Sequence, residues 1–151
     1  MSAFRPKVAD FEARVRASFD RQPFMHTIGA SLARVAPGEV EIAMPVRPQF
    51  CQQHGFVHAG VVSALADTAC GYAAFSLMPE SAGVLTTEFK VNLLAPAGGE
   101  RLIAVGRVVK PGRTLTVAQG EVFAETAGER RLVALLTATL MAVEGRDDVR
   151  D

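Results

Sequence analysis

A chain of 151 residues, 49% of them hydrophobic, matches one ordinary domain and can bury a substantial core. Lys+Arg and Asp+Glu balance at 16 each, so no positive excess exists to displace counterions from a phosphate backbone, which argues against nucleic acid as a partner. Two cysteines, Cys51 and Cys70, are too few for a disulfide framework, and the first residues mix charges of both signs where a signal peptide would be apolar; the expected location is the cytoplasm.

The chain reads as one domain over residues 1–151, with an N-terminal helix at about 7–20, a core at about 24–143 and a charged tail at 144–151. Val8, Phe11, Val15 and Phe19 recur at helical spacing with charges between them, predicting an amphipathic helix from Val8 to Phe19. Pro23 to His26 is expected as a turn. Ile28 to Val35 and Glu39 to Val46 read as strands of one hairpin around Pro37-Gly38, the second alternating Val40, Ile42, Met44 and Val46 against Glu39, Glu41 and Ala43. Pro48 to Val57 is a loop. After it comes an apolar run ending at Pro79, whose only charged side chain is Asp67. A run of that length could span a bilayer, but a charge near its centre is costly there, and a helix buried inside the protein is the preferred reading.

Beyond the helix the period changes to 2. Leu85, Phe89, Val91 and Leu93 are assigned to one face of a strand, and Thr86, Glu88, Lys90 and Asn92 to the other. Leu102 to Val109 and Thr114 to Ala124 form a pair around the turn Lys110-Pro111-Gly112-Arg113, and Leu132 to Val143 is the last strand. The tail from Gly145 to Asp151 is expected to fray. A helix apolar nearly all round must be enclosed, and an antiparallel sheet curling around it is the economical α+β arrangement.

The residues His58-Ala59-Gly60, Leu65-Ala66-Asp67, Thr86 to Pro96 and Gly112-Arg113-Thr114-Leu115 resemble the hotdog-fold thioesterases, in particular the phenylacetate-pathway (PaaI-like) group, over roughly Phe24 to Val143. The family pattern is an Asn, a Gly three residues on, His-Gly-Gly, then an Asp nine residues after the His. Here Gln52, Gly55, His58-Ala59-Gly60 and Asp67 keep the spacing, with Gln for Asn and Ala for the first Gly. The resemblance implies a hotdog fold, a long central helix wrapped by a curved antiparallel sheet, and an acyl-CoA thioesterase acting on aryl- or medium-chain substrates.

Thioester hydrolysis needs donors for the oxygen of a tetrahedral intermediate and a carboxylate that activates water or attacks directly. Unpaired N–H groups at a helix start supply such donors. By resemblance, the Ala59 N–H polarises the carbonyl beside the Gln52 amide, His58 holds the loop, Gly55 and Gly60 shape it for substrate, and Thr86 orients water or Asp67. Lys110 and Arg113 are candidates for the phosphates of coenzyme A, which enters as part of the substrate; no other cofactor and no metal is expected. Ala59 and Asp67 lie eight residues, or about 12 Å, apart along a helix, so one carbonyl cannot touch both on one chain. Either they are not one site, or each site joins the helix start of one subunit to Asp67 of another, as the family's dimers do. An obligate homodimer is therefore expected, and the family pairs such dimers into tetramers.

Plainer readings stand beside these. Asp67 could be a buried carboxylate satisfied by a neighbouring loop, and His58 a structural histidine. Cys51, His54 and His58 have metal-ligand spacing but lack a fourth protein ligand, and a Cys51–His54 nucleophilic pair lacks a third group to orient its base. Phe24, Met25, Phe50, Phe56 and Tyr72 are candidate acyl-pocket residues or simply core; His26 and Cys70 are read as structural. A non-catalytic acyl-CoA or fatty-acid binding protein on the same fold is the main alternative. Hydration or dehydration of an acyl thioester is disfavoured, because the sister dehydratases carry a different Asp and His arrangement.

Overall fold

The computed structural model describes residues 4–150. In chain order it contains α1 (Phe11–Asp20), α2 (Pro23–Thr27), β1 (Ser31–Ala36), β2 (Glu39–Pro45), a single 3-10 turn (Pro48–Phe50), α3 (Ala59–Phe75), β3 (Gly83–Leu93), β4 (Arg101–Lys110), β5 (Leu115–Thr126) and β6 (Glu129–Val143). The six strands form one antiparallel sheet in the order β1-β2-β4-β5-β6-β3, and α3 packs across its inner face. This is the hotdog arrangement the resemblance implies.

Two glycines explain how the helix lies so close. Gly106 on β4 and Gly120 on β5 are direct cross-strand partners. A side-chain carbon at Gly106 would overlap the Ala69–Cys70 peptide, and one at Gly120 would sit 3.0 Å from Cys70 Sγ. The helix answers with small residues, Ala66, Ala69, Cys70 and Ala73, all fully buried. Glycine here is a requirement of close approach. Around this contact Val40, Ile42, Met44, Leu65, Leu102, Val122, Leu136 and Leu140 fill the core.

The helix is covered on one side only. Gly60, Val61, Ala64, Thr68 and Gly71 recur at helical spacing and remain partly or fully exposed in the protomer, so the sheet wraps one face of the helix and the opposite face stays open.

Other expectations shift at their ends. The first helix begins at Phe11. The expected Pro23 turn is the short helix α2, with Pro23 at the first helical position, where its missing N–H costs nothing. β1 starts at Ser31, while Ile28 and Ala30 are buried just before it. The tail folds back: Val149 packs under Gly83, and Ser81 donates to Glu144 (2.6 Å). The β3 pattern changes more deeply. A bulge between Thr86 and Glu88 reverses the alternation, so Thr86 pairs with Leu140 and Phe89 with Ala138 on the inner face, while Leu85 pairs with Met141 on the outer. Thr86 therefore shares a face with Phe89, Val91 and Leu93, contrary to simple period 2.

Candidate active site

The loop before α3 is closed by its own backbone. His58 N–H donates to the Phe50 carbonyl (2.9 Å), Val57 N–H to Ala97 (2.8 Å), Gln52 N–H to Phe56 (2.8 Å) and Gly55 N–H to Gln52 (2.9 Å). These bonds aim the first turn of α3. His58 is its N-cap: Nδ1 accepts from Gly60 N–H at 2.9 Å, and the His58 carbonyl accepts from Val61 (2.9 Å) and Val62 (3.1 Å). The Ala59 N–H is the first-turn amide left without an acceptor among the described residues. Gln52 Oε1 accepts from the His54 N–H, which commits the carboxamide oxygen to the loop and leaves its NH2 group to donate elsewhere. Gln52, Phe56, Val57, Ala59, Val62 and Leu93 are among the walls of a cavity of about 430 Å³.

Asp67 opens elsewhere, into a separate cavity of about 400 Å³ lined also by Ser18, Gln22, Thr68, Tyr72 and Thr86, with Arg21 and Arg150 among its walls. Thr86 Oγ1 donates to Asp67 Oδ1 at 2.8 Å. This bond exists because the bulge turns Thr86 inward. Burial raises the Asp67 pKa above its ordinary value, and the Thr86 hydrogen bond opposes part of that rise. Below Asp67, burial and then the carboxylate's charge push the Cys70 thiol up to about 12, which leaves it inert.

The sequence-derived residues thus fall into two groups on one helix. Gln52, Gly55, His58, Ala59 and Gly60 gather at its start, and Asp67 and Thr86 meet two turns on. Lys110 and Arg113 line neither cavity; Arg113 lies with Lys7 beside the C-terminal end of α3, around a third cavity of about 290 Å³. Phe56 lines the cavity at the helix start and Tyr72 the Asp67 cavity, whereas Met25 is core and Phe24 is exposed outside both. Cys51 Sγ donates to the Arg47 carbonyl (3.4 Å), and no group of three metal-ligating side chains is found among the described residues. No helix among them is long and apolar enough to cross a membrane. Ser18, Gln22 and Arg150 went unnoticed in the sequence, since nothing in their spacing ties α1 or the tail to a residue on α3.

Residues 54–130 match the model of the Thioesterase superfamily. The chain belongs to that superfamily. Its reaction class is accordingly thioester hydrolysis. A crystal structure of a thioesterase family protein from Silicibacter pomeroyi is 57% identical, with a TM-score of 0.88 over 89% of this chain and 99% of that one. A Halobacterium salinarum protein with a provisional esterase name is 33% identical over 115 residues, 73% of this chain and 76% of its own length. The Escherichia coli PaaI protein, from the phenylacetic acid degradation operon, shares the fold at 21% identity, with a TM-score of 0.81 over 89% of this chain and 94% of that one. The matched range of this superfamily member holds Ala59, Asp67 and Thr86, and leaves α1 outside.

Proposed function

We propose that the protein is an acyl-CoA thioesterase for aryl- or medium-chain acyl groups, working as a homodimer in which each site joins Asp67 of one protomer to the start of α3 in the other. The observation that carries this reading is the division of one helix between two cavities. Ala59, whose N–H has no acceptor among the described residues, lines one and Asp67 the other, eight residues or about 12 Å apart. The open face of α3, made of Gly60, Ala64, Thr68 and Gly71, suits a second helix packed alongside. The β3 edge is also unpaired in the protomer, and Phe89 (47% exposed) and Leu93 (54%) stand uncovered beside it.

In such a site the Ala59 N–H and the Gln52 NH2 group hold the thioester carbonyl oxygen, and negative charge developing there is met by the helix start. Asp67, made more basic by burial, takes a proton from water as it attacks the carbonyl carbon, or attacks directly; Thr86 fixes the carboxylate. The products are a carboxylic acid and free coenzyme A, with no cofactor or metal invoked. Lys110 and Arg113 are the proposed contacts for the phosphates, and the cytoplasm is the proposed location. On the outer face, Leu85, Met141 and Leu115 stand in one cross-strand row near Val109 and Val117, and Leu115 (51% exposed) and Val109 (60%) are bare enough for two dimers to pair there.

The test is Asp67→Asn. Thiol release from acyl-CoA should fall roughly a hundredfold or more, with the oligomer intact by light scattering. Full turnover in that variant would end the assignment, and acyl-CoA binding without release by the unaltered protein would favour a binding role.

A further inference from the structure

The third cavity, of about 290 Å³ beside the C-terminal end of α3, takes no part in the proposed reaction, and its walls are of two kinds. Leu77 and Met78, just past the helix, are apolar and buried. Lys7, from the segment before α1, and Arg113, from the turn between β4 and β5, are exposed cations. Neither has a hydrogen-bond or ion-pair partner among the described residues. Thr116 lines the same cavity at 4% exposure, and its Oγ1 accepts from the Gly112 N–H at 3.4 Å, which leaves the hydroxyl hydrogen to donate. The turn owes its shape to Gly112, where a side-chain carbon would sit 2.0 Å from the Leu115 carbonyl oxygen.

We propose that this cavity is a second ligand site, for a compact apolar carboxylate of the class that the proposed hydrolysis releases. Two unpartnered cations, one of them a guanidinium whose fork matches a carboxylate, favour an anion. Water satisfies an exposed cation equally well, so the apolar walls decide which anion. A bare phosphate would leave Leu77, Met78 and Pro111 uncovered, whereas an aryl or short aliphatic body covers them and gains by leaving water. Its carboxylate then meets Lys7, Arg113 and the Thr116 hydroxyl. The C-terminal end of a helix ordinarily repels an anion, but here the last carbonyls are engaged. Arg14 donates to Met78 (3.1 Å), Ser76 Oγ to Ala73 (2.6 Å), and the N–H groups of Leu77 and Met78 to Ala74 and Phe75 (3.0 Å each). Ala74, which also lines the cavity, is seven residues or about 10 Å beyond Asp67 along the helix, so the site is separate from the reacting carboxylate. One consequence rests on the proposed role of Arg113 as a contact for the phosphates of coenzyme A: acid held here occupies that cation and raises the KM for the next acyl-CoA.

The experiment titrates phenylacetate into the full-length protein, Lys7→Gln, Thr116→Val and Asp67→Asn by calorimetry, with 2-phenylethanol as the uncharged probe and inorganic phosphate as the wholly polar one. The parent should bind phenylacetate at a site that Asp67→Asn retains, that Lys7→Gln weakens roughly tenfold and Thr116→Val somewhat less, and that neither control probe fills comparably. Added phenylacetate should also raise the KM for acyl-CoA less in Lys7→Gln than in the parent. Phenylacetate binding unchanged in Lys7→Gln, or inorganic phosphate bound as tightly as phenylacetate, overturns the site. An equal rise in KM in the two proteins overturns the competition at Arg113. The titration does not depend on catalysis, so full turnover by Asp67→Asn would end the thioesterase assignment without touching the binding result.

Discussion

Asp67 carries the opposing demands of the site on one side chain. Burial raises its pKa, which makes it a stronger base and also makes its ionised form costly in the fold. The sign follows from linkage: a folded-state pKa above the unfolded one means that the folded chain holds the proton more tightly, and the stability this contributes is lost as pH rises through the folded value. At neutral pH Asp67→Asn should therefore unfold at a temperature equal to or above that of the parent, while losing turnover. A calorimetric scan showing marked destabilisation would contradict this. Thr86 works in the opposite direction, since its hydroxyl donates to the carboxylate and favours the charged form. Replacing it by valine should move the acid limb of the kcat/KM profile to higher pH. An unmoved limb would mean that another group sets it. The bond was hidden from period-2 reading because one extra residue at the bulge turns Thr86 from the outer face to the inner.

At the scale of elements, α3 is placed by the absence of two side chains. Gly106 and Gly120 form a groove in β4 and β5 that admits the helix backbone at Ala66 to Cys70. Gly106→Ala should cost about 3 kcal/mol, at the upper end for overpacking, because the obstacle is backbone that cannot change rotamer. Denaturant unfolding would measure it. The other end of the helix is held by Arg14, whose guanidinium donates to the carbonyls of Met78 (3.1 Å) and Ala82 (2.6 Å) and lies 3.9 Å over the Phe75 ring. That anchor brings α1 across the Asp67 cavity, which is how Ser18 and Gln22 come to line it.

For the whole molecule, the proposed site, split between two cavities along α3, would make activity a property of paired chains. Ala59→Pro removes the proposed donor with little harm to the helix: residue 59 is its first position, and His58, at φ −57 and ψ 137, already has the extended backbone a following proline wants. Ala59→Pro and Asp67→Asn should each be inactive alone. Mixed and reassociated, they should recover about a quarter of parental activity, since half of the dimers formed at random hold one intact site of two. No recovery despite demonstrated exchange would place the whole reaction on one chain. Separately, if two dimers pair through the outer face as proposed, Leu115→Lys there should leave dimers in place of tetramers, read by sedimentation; an unchanged mass would locate the second interface elsewhere.

Hydrophobic period, turn residues and the spacing from Gln52 to Asp67 determined a great deal without coordinates: the order of the main elements, the family, and, from helix rise, that Ala59 and Asp67 of one chain cannot touch the same carbonyl. These are local quantities, set by geometry within a few residues. The tertiary structure decided which face Thr86 occupies, that the Ala59 N–H is the amide left over when His58 has capped the turn, and that α1 and the tail help line the cavity that holds Asp67. Each depends on contacts between residues far apart in the chain, such as Thr86 with Leu140 or Ser18 with Tyr72, and no periodicity records which distant segments will meet.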